Sequence, residues 1–141
     1  MTTSDLAPVL AVDDSASIRE MISTVLMAHG YRVVTAGDGK EALIHLRASA
    51  EPYIVLLDVV MPLLDGKAVV REIASDPQLL AMRHQIILMS STVRMSQPDI
   101  PQSVRQLAKP FTRQRLLEIV EIAQREARSS DERPFPLNDG Q

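Results

Sequence analysis

Three carboxylates, a hydroxyl and an amine follow hydrophobic runs in this sequence of 141 residues. Asp13 and Asp14 follow VLAV, Asp58 follows YIVLL, Ser90 follows QIILM and Lys109 follows VRQLA. Clustered carboxylates repel one another and therefore require a cation, and oxygen ligands favour Mg²⁺. A carboxylate can also be a nucleophile that forms an aspartyl-phosphate, while the metal and a lysine neutralise the phosphoryl oxygens. Ser90 could donate a hydrogen bond to one of those oxygens.

Each of these residues by itself also has an ordinary structural interpretation. An Asp-Asp pair after a strand is often a helix cap, and Asp58 could be a turn residue. Ser90 could be a strand-end hydroxyl, and Lys109 could be a solvated charge before a proline that ends a strand. The combination is more specific, because ligands of open parallel sheets bind beyond the C-terminal ends of the strands.

Five short hydrophobic runs predict the strands that would position these side chains. Residues 9–12, 53–57 and 85–89 form nearly continuous apolar runs, which is typical of strands buried on both faces of a parallel sheet. Residues 31–34 and 104–108 contain polar side chains and are predicted to be edge strands.

Helical patterns separate these runs. Apolar residues recur with helical spacing over residues 18–26, and Gly30 supplies a stop signal. Asp38, Asp65 and Thr112 are predicted to cap three further helices. The alternation of strands and helices predicts an α/β fold with a parallel sheet and right-handed crossovers.

Prolines limit two of the helices. The helix capped by Asp65 is predicted to end before Asp76 and Pro77. Pro98 and Pro101 lie between the fourth and fifth strands, where an interior proline would remove a helical hydrogen bond. A fourth helix is therefore predicted to be shortened or irregular.

Composition favours one soluble domain. Hydrophobic residues make up 45% of the chain, the net charge is −3 and cysteine is absent. These values favour neither a nucleic-acid partner nor a disulfide framework. Without a signal peptide or membrane span in the sequence, we expect a cytoplasmic protein with no membrane partner. We expect an N-terminal extension over residues 1–6, one domain over 7–128 and a disordered tail over 129–141.

Four segments together resemble the response-regulator receiver domain, the phosphoacceptor module of two-component signalling. They are VLAVDDS at 9–15, IVLLDVVMPLLDG at 54–66, IILMSS at 86–91 and KPF at 109–111. The resemblance covers about residues 7–128. It implies a flavodoxin-like, doubly wound five-stranded parallel sheet of order 2-1-3-4-5 with helices on both faces.

The resemblance also implies a role for each site residue. Asp58 matches the phosphoacceptor, and Asp13 and Asp14 match the acidic pair that binds Mg²⁺ together with Asp58. The backbone carbonyl of Val60 matches a further metal ligand.

Two strand-end residues match the groups that contact the phosphoryl group in this family. Ser90 corresponds to the switch hydroxyl and Lys109 to the phosphoryl-binding lysine. The resemblance further implies a cis peptide bond between Lys109 and Pro110.

The sequence departs from the receiver pattern near its output face. Gln106 stands where the family often has a switch aromatic residue. The Gly-Ala that usually precedes the fifth strand is missing, with Pro101, Gln102 and Ser103 nearby instead. Any switch must then use the Ser90–Thr92 loop or the segment after it. Val60 and Thr92 occupy positions that tune water attack in the family. Neither is charged and Val60 cannot hydrogen-bond water, so we expect slow self-hydrolysis.

The leading prediction is a stand-alone receiver, monomeric or weakly dimeric. A histidine kinase or phosphotransfer protein would phosphorylate Asp58, and the modified chain would alter its contact with a downstream protein. It would not be an enzyme beyond its own phosphotransfer and slow autodephosphorylation.

Three alternatives remain. One is a receiver-like scaffold or adaptor that does not switch. A Mg²⁺ phosphatase usually needs a second acid where Val60 stands, and an FMN-binding flavodoxin needs a phosphate loop that Asp13 and Asp14 would oppose.

The histidines His29, His45 and His84 have no ligand spacing and are predicted to lie at the surface.

Overall fold

Five strands and five helices make up the described part of the chain, which is residues 6–91 and 104–130 of a computed structural model. In chain order they are β1 Val9–Val12, α1 Ala16–Met27, β2 Val33–Ala36, α2 Gly39–Ala48, β3 Ile54–Asp58, α3 Gly66–Ser75, α4 Pro77–Ala81, β4 Gln85–Ser90, β5 Arg105–Ala108 and α5 Arg113–Ser130. None of the helices within these residues is long and apolar enough to cross a bilayer.

The strands form one parallel sheet in the order β2-β1-β3-β4-β5, which confirms the predicted flavodoxin-like topology. β1 and β3 are buried throughout, whereas β2 and β5 are the edges, as their polar residues predicted. Several strand boundaries shift by one or two residues. β2 covers Val33–Ala36 instead of residues 31–34, and β3 and β4 include Asp58 and Ser90 as their last residues.

Two hydrophobic cores lie on opposite faces of the sheet, because neighbouring strand residues point to opposite sides. Leu10 and Val12 of β1 pack with α2, α3 and α4, while Val9 and Ala11 pack with α1 and α5. Strands buried on both faces explain the continuous apolar runs in the sequence. The sheet and its two helical layers therefore fix the strand ends in space.

Side chains cap the helices at the predicted positions. The carboxylates of Asp38 and Asp65 accept from the backbone N–H groups three residues ahead at 2.8 and 2.9 Å, and the Thr112 hydroxyl accepts from that of Arg115 at 3.0 Å. Gly30 has a φ of 88°, a left-handed conformation that glycine adopts without a steric penalty, and follows the end of α1.

The short helix α4 is absent from the sequence-based prediction. α3 ends at Ser75 as expected, but Asp76 then caps a new helix through a 2.9 Å hydrogen bond from the Gln78 N–H to its carboxylate. Pro77 begins α4, where the missing N–H has no helical partner to lose. Pro77 therefore starts a helix. The fourth helix predicted to be shortened or irregular, between β4 and β5, falls in residues 92–103, outside the described residues.

The domain boundaries are partly described. α5 extends to Ser130, so the first two residues assigned to the tail are helical, contrary to the predicted boundary at residue 128. α5 forms because its buried stripe packs against the sheet, and this stripe includes Leu116, Ile119, Val120 and Ala123. Residues 1–5 and 131–141 lie outside the described part.

Candidate functional site

The carboxyl edge of the sheet brings together four of the predicted residues. Asp58 and Ser90 are the last residues of β3 and β4, and Asp13 and Lys109 directly follow β1 and β5. Asp14 lies beside Asp13 and is exposed. Carboxylate oxygens of Asp13, Asp14 and Asp58 all lie within 4.8 Å of one another.

Asp13 is held from several directions. Its side chain is 1% exposed, its N–H donates to the Ala36 carbonyl at 3.2 Å, and its carboxylate accepts from the Ser15 N–H at 2.9 Å. The Arg19 guanidinium donates to the Asp13 carbonyl at 2.6 Å, and the Lys109 ammonium donates to its second carboxylate oxygen at 2.9 Å. Asp13 is thus a fixed acidic group at the base of the site.

Lys109 lies between two acids. Its Nζ is 2.9 Å from Asp13 Oδ2 and 3.3 Å from Asp58 Oδ1. Burial alone would lower the pKa of Lys109, but the hydrogen bond with Asp13 and the charges of both acids together raise it. The backbone of Lys109 donates to the Ser90 carbonyl at 2.8 Å, and its peptide bond with Pro110 is cis, the isomer that the resemblance implied.

Asp58 is buried and is electrostatically disfavoured as an anion. Burial, followed by the charge of Asp13, raises the pKa of Asp58, while Lys109 and a backbone hydrogen bond from Val60 act in the opposite direction. The residue is 5% exposed. One ammonium therefore stabilises two carboxylates that repel each other.

The loop after β3 folds back over the backbone of Asp58. A Cβ atom on Gly66 would lie 2.5 Å from the Asp58 carbonyl oxygen, so only glycine allows this approach. The Gly66 N–H donates to the Val59 carbonyl at 2.9 Å and closes the loop. Between them, Val60 and Leu63 are 75% and 78% exposed, and Leu63 has a φ of 70°.

The donor set fits a hard divalent cation. Three carboxylates and one ammonium leave the cluster with a net negative formal charge. Their ligand atoms are oxygens, which Mg²⁺ and Ca²⁺ prefer. The cluster of Asp13, Asp14 and Asp58 could therefore bind a metal ion.

A family comparison identifies this arrangement. The model of the response regulator receiver domain matches residues 9–121. The chain belongs to the response-regulator receiver family. The prediction made from the motifs after each strand is thereby confirmed.

Three solved structures similar to this receiver share the fold over nearly their whole length. The chemotaxis protein CheY4 of Vibrio cholerae is 32% identical, with a TM-score of 0.70 over 84% of this chain and 98% of that one. A CheY-like receiver domain from Methanospirillum hungatei is 25% identical, with a TM-score of 0.76 over 87% and 98%. TrrA of Thermotoga maritima, solved in complex with Mg²⁺-BeF, is 29% identical, with a TM-score of 0.71 over 84% and 99%.

Curated relatives of the receiver are longer proteins. The probable transcriptional regulator ycf27 of Guillardia theta is 53% identical over 68 residues, which are 48% of this chain and 26% of that protein. The response regulator MprA of Mycolicibacterium vanbaalenii is 48% identical over 67 residues, or 48% and 29% of the two chains. The receiver thus spans little more than a quarter of the curated relatives it matches.

The remaining predicted positions of the receiver differ in how they are placed. Ser90 is 6% exposed and ends β4 beside the site, whereas Gln106 is an exposed residue of β5. Thr92 lies outside the described residues. Sequence reasoning missed Arg19, whose contact with Asp13 has no signature in residue type or spacing.

His84 corrects the prediction that all three histidines lie at the surface. It is 6% exposed and precedes β4, at the opposite end of the sheet from the acidic cluster. Its Nδ1 accepts from the Tyr53 N–H at 2.9 Å, and burial lowers its pKa to about 4. His84 is a structural histidine whose burial results from the packing of two strand entries.

Proposed function

We propose that this chain is a phosphorylation-dependent signalling switch whose phosphoacceptor is Asp58. Its membership in the receiver family places it in two-component signalling, and the proposal assigns the chemistry to particular residues. The observation that carries it is the ammonium of Lys109 held between Asp13 and Asp58 at 2.9 and 3.3 Å. An ammonium in that place is positioned to stabilise the negative charge that develops on a phosphoryl group during transfer.

The proposed reaction is a phosphoryl transfer to the Asp58 carboxylate. The donor is a phosphohistidine of a histidine kinase or a phosphotransfer protein. A carboxylate oxygen of Asp58 forms the new P–O bond, the P–N bond of the donor breaks, and the leaving imidazole takes up a proton. Because burial and Asp13 raise the pKa of Asp58, its ionised form is a more basic nucleophile than an exposed aspartate.

The residues around Asp58 fit a Mg²⁺ ion. Asp13, Asp14, Asp58 and the backbone carbonyl of Val60 would hold it, and the ion would neutralise charge on the phosphoryl oxygens. TrrA, the Thermotoga maritima relative, was solved with Mg²⁺-BeF, which supports the same cofactor here.

Phosphorylation would change the contacts of Lys109 and Ser90. In the unmodified chain Lys109 is paired with two carboxylates. A phosphoryl group adds negative charge and acceptor oxygens, so Lys109 would pair with it and the Ser90 hydroxyl would donate to it. The connection from Ser90 through Thr92 would then alter the affinity for a downstream protein, since Gln106 provides no aromatic reporter.

A scaffold that does not switch is the second candidate. The exposed Gln106 on β5, in place of an aromatic residue, favours it. The complete set of acids, hydroxyl and lysine favours the switch instead. The two candidates differ in whether Asp58 becomes phosphorylated.

The direct test is intact-mass spectrometry after incubation with phosphoramidate, with and without Mg²⁺. We expect a Mg²⁺-dependent gain of one phosphoryl group that is absent in Asp58→Asn. Asp65→Asn is the matched control, because Asp65 is an exposed aspartate that caps α3 in the same loop. A gain of mass in Asp58→Asn would contradict the assignment, and a folded chain that neither gains mass nor binds Mg²⁺ would be the scaffold.

The lifetime of the phosphoryl group gives a finer test. The Val60 side chain is apolar and 75% exposed, and it cannot hydrogen-bond an attacking water. After removal of the donor we expect slow decay of the phosphorylated mass, and faster decay in Val60→Gln. Decay within seconds at neutral pH would contradict slow self-hydrolysis.

A further inference from the structure

We propose that Arg19 is a positioning residue for the divalent cation, because it fixes the peptide that joins Asp13 to Asp14. The inference rests on the proposed metal site and extends it to a residue that is not a ligand. Arg19 would act through Asp14, by keeping that carboxylate within reach of the ion. It would not contact the cation itself.

The contact is short and charged. Arg19 is a half-buried residue of the first turn of α1, and its Nη1 donates to the Asp13 carbonyl oxygen at 2.6 Å. The same atom would lie 3.6 Å from a Cβ on Gly37, so the guanidinium is packed beside the β2–α2 connection. Hydrogen bonds with a charged donor are stronger than neutral ones.

The carbonyl of Asp13 is the group whose orientation matters for Asp14. It lies in the same rigid peptide plane as the Asp14 nitrogen, so fixing the carbonyl also fixes the direction in which Asp14 leaves β1. The Asp14 side chain is exposed, and within residues 6–91 and 104–130 no hydrogen bond holds its carboxylate. Its distance to the other two acids therefore depends on its backbone.

Two effects of Arg19 have opposite signs, which makes the inference testable. The positive charge of the guanidinium repels a cation, so its loss through electrostatics alone would tighten binding. Loss of the bond to Asp13 would loosen Asp14 and weaken binding. Partners that orient metal ligands typically change affinity by about 10- to 100-fold, and we expect the positioning effect to dominate.

The test is a calorimetric titration of the full chain with Mg²⁺. We expect Arg19→Met to weaken the affinity by about 10-fold and Arg19→Lys, which keeps a long cationic donor, to recover part of the loss. In an Asp14→Ala background, Arg19→Met should have no further effect, because the role runs through Asp14. A purely structural role would not produce this dependence on Asp14.

Arg32→Met is the matched control. Its guanidinium also donates to a backbone carbonyl at 2.6 Å, that of Leu6, but at the opposite end of the sheet. We expect this variant to retain the Mg²⁺ affinity of the original chain. Unchanged or tighter binding in Arg19→Met, or an equal loss in Arg32→Met, would overturn the inference. Failure of the original chain to bind Mg²⁺ would instead refute the metal site of the proposed function and the inference with it.

Discussion

The two ends of the sheet handle buried polar groups in opposite ways. At the amino end, before β1, the Gln124 side chain accepts from the Ala7 N–H at 3.0 Å and donates to the Ala7 carbonyl at 2.6 Å. Two strands along the sheet, before β4, His84 accepts from the Tyr53 N–H that precedes β3. Each of these side chains hydrogen-bonds to backbone groups, and within the described residues the buried His84 Nε2 is left without a hydrogen-bond partner.

At the carboxyl end, burial instead forces like charges together. Asp13 and Asp58 are 1% and 5% exposed and share the single ammonium of Lys109. The adjoining loop exposes two large apolar side chains, Val60 and Leu63, and holds Leu63 at a positive φ. The carboxyl end therefore retains a repulsion between carboxylates that a divalent cation would relieve, whereas the buried polar side chains of the amino end pair with backbone groups.

The largest effect is expected when the hydrogen bonds of Gln124 at the amino end of the sheet are removed. Gln124→Leu would leave the N–H and C=O of Ala7 without partners, and each unsatisfied buried group costs about 1–3 kcal/mol. We expect the free energy of unfolding to fall by about 2–4 kcal/mol in urea denaturation. Gln114→Leu, an exposed change on the same helix, should stay within about 0.5 kcal/mol. Equal effects at the two positions would show that the Ala7 contact contributes nothing.

Acid should also weaken the amino end through His84. Its pKa is about 4 when folded and 6.5 in the unfolded chain, so the unfolded state binds the proton more tightly. The contribution of neutral His84 to the free energy of unfolding is fully present above pH 6.5 and is lost as the pH falls towards 4. The free energy of unfolding should fall by about 2 kcal/mol between pH 7 and pH 5 through this residue.

The measurement is urea denaturation at pH 7 and pH 5. His84→Asn keeps an acceptor for the Tyr53 N–H but does not titrate in this range. Between pH 7 and pH 5, its free energy of unfolding should therefore fall by about 2 kcal/mol less than that of the original chain. His45→Asn, in a more exposed histidine of α2, is the control and should behave like the original chain. The same pH dependence in His84→Asn as in the original chain would rule out His84 as its source.

At the carboxyl end, removing a charge should have the opposite sign. The raised pKa of Asp58 means that its anion is less stable in the folded chain than in the unfolded one. Asp58→Asn in EDTA at pH 7 should therefore raise the melting temperature, by about 4 °C for each kcal/mol of repulsion and desolvation that is removed in a domain of this size. Asp65→Asn should leave it unchanged, and a lower melting temperature for Asp58→Asn would contradict the comparison.

The smallest expected effect concerns the loop beside the site. The Leu64 N–H donates to the Pro62 carbonyl at 2.8 Å across Leu63, whose φ of 70° is unfavourable for leucine. Leu63→Asn should stabilise the fold by about 0.5–1 kcal/mol, because asparagine adopts positive φ more readily. Val60→Asn, two residues after Asp58, should give no such gain in urea denaturation. Destabilisation by Leu63→Asn would show that the turn is unstrained.

Much of the fold and site could be predicted because its signals are local. The apolar runs that became β1, β3 and β4 reflect burial on both faces, and the polar residues of β5 marked an edge. Caps such as Asp38 and Asp65 act within three residues of their own position. Strand order then placed the acids and Lys109 at one edge, as ligand sites of parallel sheets require.

Other features have no local signal. Pro77 is compatible both with the end of one helix and with the start of the next, and only the packing of Leu79 against the sheet decides for α4. The burial of His84 and the contact of Arg19 with Asp13 join parts of the chain whose proximity depends on how helices cross the sheet.

Hydrophobic periodicity and residue type are properties of short segments, so they indicate which residues end the strands and which of them could perform phosphoryl chemistry. Only the packing of the folded chain places the Lys109 ammonium between Asp13 and Asp58 and brings Arg19 to the Asp13 carbonyl. Distances between residues 45 or more positions apart follow from packing and not from composition, and electrostatic energies depend on those distances.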